Sequence, residues 1–560
     1  MLAALGAAQG ATLATPALAG DAPRAPVAQT GGKGAAPAKP KATAKPPEPK
    51  AAKPAAKPAK PAAAPAPKPA KTALAPAPSD AIELRLAVQR ETFDNGLRVV
   101  LNVDHTSPTV AVAVVYDVGS RNEQEGRSGF AHLFEHMMFQ GSQNVEKGGH
   151  FKLISAHGGI LNGTTNSDRT NYFEVLPANE LALGLWLEAD RMKSLDVSGA
   201  NFENQRKVVQ EEYRMRVSNA AYVPSELRRD ELVFEGYWPY AHSTIGSMAD
   251  LDGAKLDWVR DFHAHYYGPN NAVLVISGDF DPNEALAMAH RYFDSAKKVS
   301  VTPFVDPPFP EQTSQRTAVV HDDNARFPGV LYGWAIPPMR SADHYALELA
   351  STLLGDGDSS RLHQLLVRDK GFAQNASAHT DDRRGADLFA IDVRLSATGD
   401  LGKVEKLVED EVKALATKGP SDAEVEKVRS QVKSGLLLQL QSNLSRARRL
   451  GEYEVYFGDA RQLNAELPRY LAVTKEDIKR VTAQYLSPTR RTIVETLPAK
   501  HEQADDADKK PADKAEKKPP AKVEKKPPEK KPADKAPAAP PKKQGGPAAP
   551  AAPAKKGAKK

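Results

Sequence analysis

The chain has 560 residues, with 76 Lys and Arg, 70 Asp and Glu, 45 Pro and no Cys, and its formal net charge is +6. Residues 1–79 hold 11 basic and 2 acidic side chains and residues 501–560 hold 17 and 9, so residues 80–500 carry a net charge of −11. The absence of Cys excludes a disulfide scaffold, a thiol nucleophile and a Cys-ligated zinc site. No apolar run approaches the ~18 residues of a membrane-spanning helix, and an acidic body does not favour nucleic acid. We therefore expect no transmembrane segment and no specific nucleic-acid partner.

Both ends of the chain are rich in Ala, Pro and Lys. Residues 20–79 and 501–560 repeat these three residue types, with added Asp and Glu in the second segment. Such sequences bury too little apolar surface to offset chain entropy, so we expect both segments to be disordered. They are either solvated spacers or tethers to an anionic polymer or cell wall, and evenly spaced Lys-Pro units favour the spacer.

Residues 1–19 have the small, apolar composition of a candidate signal peptide. Ala17-Leu18-Ala19 matches an A-x-A cleavage pattern, although the first basic residue is Arg24. We expect export to the periplasm or cell envelope, with a cytoplasmic location as the alternative.

The body of the chain alternates strand and helix signals. Asn95-Gly96 between two β-prone runs predicts a hairpin, and the apolar run from Thr109 predicts a buried strand. Residues 128–140 are predicted to form a helix with Ser128 as a candidate N-cap. The elements predicted next are a strand over about 161–176, helices over about 178–194 and 200–217, and a buried strand over 270–280. This order is typical of an α+β fold and not of a regular βαβ alternation.

The second half of the body repeats the first. Pro269 and Pro488 precede similar apolar runs, and the same offset of 219 residues carries Phe134, in the middle of the first predicted helix, into the helical pattern at 341–354. We therefore predict two homologous domains of about 210 residues, each a mixed or antiparallel sheet packed with helices. The predicted boundaries are 80–300 for the first domain, 301–314 for the linker and 315–500 for the second domain.

The sharpest chemical signal is the segment from His132 to His136, which has the pattern H-x-x-E-H. On a helix, positions i and i+4 project from the same face, so both imidazoles can reach one metal ion, with Glu135 beside them. The pattern is the inverse of the H-E-x-x-H zinc helix. The alternative interpretation is a pair of surface histidines.

A catalytic zinc site usually has three protein ligands, and without Cys the third must be His, Asp or Glu. The predicted helix at 200–217 offers Glu203, Glu211 and Glu212. The residues alone do not choose among these three carboxylates.

Three segments carry a resemblance to a known family: GFAHLFEHMMFQGS, GGILNGTTNSDRTNYFEV and ENQRKVVQEEYRMR. They resemble the pitrilysin family of zinc peptidases, which includes insulin-degrading enzyme and the mitochondrial processing peptidases. The resemblance covers about residues 90–500 and is stronger in the first half. It implies one Zn²⁺ per chain, bound by His132, His136 and Glu212, since the family's third ligand follows the second His by about 76 residues.

The resemblance also implies a reaction. The chain is expected to be a zinc-dependent metalloendopeptidase that hydrolyses peptides or unfolded segments through a zinc-activated water, with Glu135 as general base. Where the family usually has a supporting Glu, seven residues before the third ligand, this chain has Gln205.

The family's substrate strand has the pattern N-A-x-T. This chain matches it with Asn162, Gly163, Thr164 and Thr165, which are therefore expected to bind substrate as an added strand. The alternative is an ordinary edge strand, with Gly163 leaving more room near the backbone.

Two departures from the family pattern concern partners. The second half has no H-x-x-E-H, and Gln374 stands where the family has a Tyr, although Arg368 of the same stretch is present. Because single-chain members have four such domains, the expectation is a second peptidase-like subunit that supplies an Arg/Tyr pair, with a homodimer as the alternative. Two other functions stay open: a non-catalytic scaffold subunit of a peptidase assembly, and a polyanion- or cell-wall-binding protein that acts through its tails.

Overall fold

The computed structural model describes residues 85–499. The candidate signal peptide at 1–19 and the segments at 20–79 and 501–560, for which disorder was predicted, lie outside the described residues.

The first half of the described chain forms a six-stranded sheet in the order β1-β2-β6-β3-β5-β4. Its strands are β1 (Gln89–Thr92), β2 (Arg98–Val103), β3 (Thr109–Tyr116), β4 (Ile160–Thr165), β5 (Thr170–Pro177) and β6 (Ala272–Gly278). β2 runs parallel to β6, whereas β3 is antiparallel to both β6 and β5. The central strands are buried on both faces, which explains why their sequences are almost continuous runs of Val and Ala. β4 is left at one edge of the sheet.

The helices of the first half pack around this sheet. They are α1 (Phe130–Met137), α2 (Gly149–Ala156), α3 (Leu181–Ser194), α4 (Gly199–Tyr213), α5 (Val223–Val233), α6 (Met248–Gly253), α7 (Leu256–Tyr266) and α8 (Pro282–Phe293). α4 is followed directly by a π-helical segment at Arg214–Ser218. Such segments are frequent at functional sites.

The second half repeats the strand arrangement of the first. Its sheet has the order β7-β11-β8-β10-β9, formed by β7 (Arg316–Asp322), β8 (Gly329–Ile336), β9 (Ala373–Thr380), β10 (Asp387–Leu395) and β11 (Thr492–Pro498). β11 is parallel to β7 and antiparallel to β8, as β6 is to β2 and β3. Pro269 and Pro488 each begin a 3₁₀ turn directly before β6 and β11. The two sheets therefore share one topology, with β9 in the position of β4.

The helices of the second half are α9 (His344–Gly355), α10 (Leu401–Lys418), α11 (Asp422–Gln439), α12 (Asn443–Phe457), α13 (Glu466–Ala472) and α14 (Lys475–Tyr485). A π-helical segment lies at His363–Asp369. None of the helices between residues 85 and 499 combines the length and the apolar character that a membrane crossing needs.

Each sheet has one face covered by a helix from the other half. α12 packs on the first sheet through Ala447 and Leu450, and its Gly451 approaches so closely that a Cβ there would lie 2.5 Å from Val115 of β3. In return, α5 packs on the second sheet through Val233, which lies in one apolar cluster with residues of β10. The two halves thus share their cores instead of closing separately.

The α+β fold class and the repeated architecture are confirmed. The predicted boundaries at 80–300, 301–314 and 315–500 stay predictions. The strand predicted over 161–176 is in fact two strands, because Asn166 forms a turn in which its side chain accepts hydrogen bonds from the backbone N–H groups of Asp168 and Arg169.

A buried ion pair joins α9 to β10. His344 is 1% exposed, and its Nε2 lies 2.8 Å from Asp387 Oδ2. Burial disfavours the imidazolium, but Asp387, Asp382 and Glu348 outweigh it and raise the pKa of His344 to about 9.

This ion pair predicts that stability falls at alkaline pH. The pKa of His344 in the folded protein lies above the ordinary value of about 6.5. The ion pair therefore contributes fully to the free energy of unfolding below pH 6.5, and this contribution is lost as the pH rises through 9. The loss is about 3 kcal/mol. Denaturant unfolding between pH 6 and 9.5 should show this slope in the wild type and a flatter one in His344→Gln. The exposed His265→Gln serves as control, and equal slopes in all three proteins would contradict the assignment.

Candidate metal centre

Helix α1 presents His132 and His136 on one face. Their ring centroids are 4.8 Å apart with planes at 78°, so the two imidazoles converge without stacking. The opposite face of the helix is apolar, and Leu133, Phe134 and Met137 are buried in the first core. Since packing determines how α1 lies on the sheet, the direction of the two imidazoles follows from the i, i+4 spacing.

The start of α1 is capped from outside the helix. Gly129, not Ser128, occupies the N-cap position, and the buried carboxylate of Glu123 accepts hydrogen bonds from the backbone N–H groups of Gly129 and Ala131, at 2.9 and 2.7 Å. The hydroxyl of Ser128 instead donates to Asp250. The prediction that Ser128 caps this helix was therefore wrong, because the carboxylate of Glu123, several residues upstream, accepts these hydrogen bonds instead. No local pattern in the sequence indicates such a contact.

Helix α4 brings one carboxylate to the two histidines. Glu212 Oε2 lies 3.2 Å from His136 Nε2 and 3.8 Å from His132 Nε2. The ligand atoms of the three residues all lie within 4.8 Å of one another. Two imidazole nitrogens and one carboxylate oxygen form the donor set of a three-ligand zinc site, so these residues fit the metal.

The other two carboxylates considered for the site point elsewhere. Glu211 is exposed and lies 2.9 Å from Arg214, and Glu203 forms an exposed ion pair with Arg206. A rotation of about 100° separates neighbouring residues on a helix, which explains why Glu211 and Glu212 have different surroundings.

A second layer of contacts surrounds the candidate ligands. Arg216, in the π-helical segment, places its Nε 3.1 Å from Glu212 Oε1, which leaves Oε2 for the histidines. Gln205 lies buried on the same helix as Glu212, and its amide donates a hydrogen bond of 2.9 Å to Asn204 Oδ1. Support of the metal site by Gln205 stays a prediction.

Burial and ion pairing oppose each other in the protonation of the site. At His136 burial lowers the pKa, but the hydrogen bond with Glu212 and the nearby carboxylates outweigh it and raise the pKa. Burial and the neighbouring His136 lower the pKa of His132 to about 3, so this imidazole is neutral at pH 7. For Glu212, the hydrogen bond with His136 and the charges nearby outweigh burial and lower the pKa. Neutral imidazole and ionised carboxylate are the forms that ligate metals.

Glu135 lies against strand β4. Its side chain is 8% exposed, and its Oε2 accepts a hydrogen bond of 2.6 Å from Thr165 Oγ1. A Cβ on Gly163 would lie 3.1 Å from Glu135 Cγ, so the absent side chain leaves room for the carboxylate. Burial raises the pKa of Glu135.

The four residues predicted to bind substrate divide between the two faces of β4. Gly163 and Thr165 lie on the face of Glu135, whereas Asn162 and Thr164 alternate to the face of α12. Thr164 donates to Asn171 Oδ1 and accepts from Arg169. Substrate binding by these residues stays a prediction.

The described residues contain one further group with metal-ligand spacing, formed by His344, Asp382 and Asp387. Its shortest separation is the 2.8 Å hydrogen bond of the ion pair described above. We interpret it as a structural contact between α9 and β10.

Comparison with known proteins identifies the family. A model described as Insulinase (Peptidase family M16) matches residues 98–236, and one described as Peptidase M16 inactive domain matches residues 254–432. A Helicobacter pylori protein named zinc protease PqqE is 31% identical over 412 residues, covering 72% of this chain and 91% of that protein. The chain belongs to peptidase family M16. The resemblance to the pitrilysin family is thereby confirmed.

Other matches agree with the M16 assignment. A Mycobacterium tuberculosis protein named an uncharacterized zinc protease is 27% identical, covering 72% of this chain and 91% of that protein. The mitochondrial-processing peptidase subunit beta of Blastocladiella emersonii is 26% identical, covering 72% and 88%. The crystal structure of a protease from Helicobacter pylori superposes with a TM-score of 0.71 at 30% identity, covering 74% of this chain and all of that chain. The matches thus cover most of the length of each relative, and two of these relatives are named zinc proteases.

The geometry of the M16 site predicts which carboxylate binds metal. Glu212→Gln should weaken zinc binding at least tenfold, because it removes the charge shared by the two histidines. Glu211→Gln, the matched neighbour, should bind zinc as the wild type does. Zinc per chain, measured by elemental analysis and by competition with a chelating dye, distinguishes the two variants. Equal loss in both, or loss only in Glu211→Gln, would contradict the assignment.

Proposed function

We propose that this chain is a zinc-dependent metalloendopeptidase that hydrolyses peptides or unfolded segments of polypeptides, with one Zn²⁺ per chain. One observation carries the proposal: the ligand atoms of His132, His136 and Glu212 converge within 4.8 Å, with Glu135 on the same helix as the two histidines. Membership of a family whose members are named zinc proteases supports it.

The residues of the site have separate roles in this proposal. Zinc, when bound, lowers the pKa of a coordinated water and polarises the carbonyl of the peptide bond. His132, His136 and Glu212 hold the metal. Glu135 accepts a proton from the attacking water and later passes it to the leaving amine. Thr165 keeps one oxygen of Glu135 hydrogen-bonded, so that the other oxygen is available for this transfer.

Strand β4 supports an extended polypeptide as substrate. It is the edge strand of the first sheet, and its residues contact Glu135 directly. A substrate that pairs with β4 through its backbone would lie across the face of the site. Main-chain pairing is possible only for an unfolded or extended segment, which is the basis for the substrate class proposed.

We also propose an exported location in the periplasm or cell envelope. It rests on the A-x-A pattern of Ala17-Leu18-Ala19, outside the described residues.

Replacing Glu135 separates metal binding from catalysis. Glu135→Gln should retain zinc and lose cleavage of a quenched fluorescent peptide by at least a hundredfold, as expected when a general base is removed. Glu203→Gln, an exposed carboxylate of α4, serves as control. A chelator should abolish the wild-type activity, and added zinc should restore it.

Two outcomes would contradict the enzyme. Zinc close to zero in the purified chain would favour the scaffold subunit. Cleavage that persists in Glu135→Gln or in the presence of a chelator would place the activity elsewhere.

A second subunit completes the proposed enzyme. Gln374 lies exposed on β9, the edge strand of the second sheet, and Arg368 is exposed in the preceding π-helical segment. Within this chain no Tyr stands at the position of Gln374. We propose that a peptidase-like partner supplies the Arg/Tyr pair, with a homodimer as the alternative.

A mixing experiment distinguishes the two assemblies. In a heterodimer, Arg368→Ala should leave peptide cleavage unchanged, because the partner provides the corresponding Arg. In a homodimer, Arg368→Ala and Glu135→Gln should each be inactive, and their mixture should regain activity as one copy complements the other. Regained activity would contradict the heterodimer. Sedimentation of the purified chain gives the assembly state independently.

A further inference from the structure

Helix α12 places an unpaired cation over β5, the strand next to the edge strand β4 of the first sheet. The guanidinium of Arg448 lies 5.1 Å from the centre of the Phe173 ring. Among the described residues it has no ion pair and no hydrogen bond, and its Nε is buried without a partner. Fully buried charges are nearly always paired. Arg448 is half-buried, and the part of its guanidinium that is shielded from water has no partner.

The neighbouring charges do not provide a partner. Glu452, one turn further along α12, accepts two hydrogen bonds of 3.1 Å from Arg169 through Oε1, and its Oε2 lies 3.8 Å from Arg449. Both oxygens of this carboxylate are therefore engaged by other arginines. Burial lowers the pKa of Arg448, and the nearby Arg169 and Arg449 add to this effect against Glu452.

The register of the sheet relates Arg448 to the edge strand. Phe173 on β5 pairs directly with Asn162 on β4, and both side chains lie on the face covered by α12. A strand added outside β4 would lie two strand spacings, ~10 Å, from β5. An Arg and a Glu side chain extended toward each other span such a gap.

Alternation of side chains then limits which substrate residues can reach the cation. In an added strand, every second side chain lies on the face of α12, and the others lie on the face of Glu135. A carboxylate at an α12-facing position would meet Arg448, whereas one on the opposite face would meet Glu135.

We propose that Arg448 is a specificity-determining residue that binds an acidic side chain of a peptide paired with β4. The substrate class is thus an extended peptide with Asp or Glu at an α12-facing position. The proposal rests on the substrate strand of the proposed function, although it does not require that the peptide be cut.

The test measures peptide binding to the full chain carrying Glu135→Gln, so that hydrolysis does not consume the probe. The probes are end-blocked fluorescent peptides in which one Glu moves stepwise through a neutral sequence, each with a Gln twin. Binding should be about tenfold tighter with Glu than with Gln at every second position of the peptide, where the side chain faces α12. At the positions between them, the Glu and Gln peptides should bind equally. The basic tails attract every Glu peptide equally, so they add no alternation.

Variants of Arg448 then test the cause. Arg448→Met keeps the packing on Phe173 and should remove the preference for Glu. Arg448→Glu should reverse it, so that peptides with Lys at the same positions bind better than their Glu twins. Lys403→Gln, an exposed charge on α10, is the control of equal charge change.

A preference for Glu that survives in Arg448→Met, or a chain without alternating preference, would overturn the proposal. Hydrolysis of the same peptides by the chain with Glu135 intact is measured separately. An alternating preference in a chain whose zinc content is close to zero would support Arg448 while contradicting the proposed enzyme, so the two failures are distinguishable.

Discussion

The position of helix α1 is the constraint on which the candidate site depends. Its apolar face is buried in the core, its first turn is capped by Glu123, and its polar face carries His132 and His136. The candidate ligands and the proposed base are therefore fixed by the same packing that stabilises the sheet. Removing polar groups from water without partners is costly, and here the partners come from α4 and β4. A small rotation of α1 would separate all of these contacts at once.

The sequence predicted those parts of the site that depend on local geometry. The i, i+4 spacing of His132 and His136 places them on one helical face, and this needs no tertiary information. The choice of Glu212 over Glu211 depends on how α4 crosses α1, which residue patterns do not specify, and only family spacing indicated it. Glu123 and Arg448 could not be found in this way, because their contacts join elements that are distant in the chain.

The two halves show how one topology serves different purposes. In the second half α9 packs beside β9 as α1 packs beside β4. Its His344, however, forms an ion pair with the buried Asp387, and its raised pKa keeps the imidazole protonated at pH 7. The repeat was predictable because sheet order follows from apolar runs and their connections. The chemistry was predicted separately, since it depends on a few polar residues that the fold does not require.

The exchange of helices α5 and α12 between the sheets also limits how the chain can move. Rotation of one half against the other would pull α12 from the first sheet and α5 from the second, and would expose two apolar faces to water. The segment at 301–314 therefore does not act as a hinge, although it links the halves. In the enzyme proposed above, motion relative to the second subunit would therefore control access of a polypeptide to β4, and the rate of substrate entry would be a property of the assembly and not of this chain.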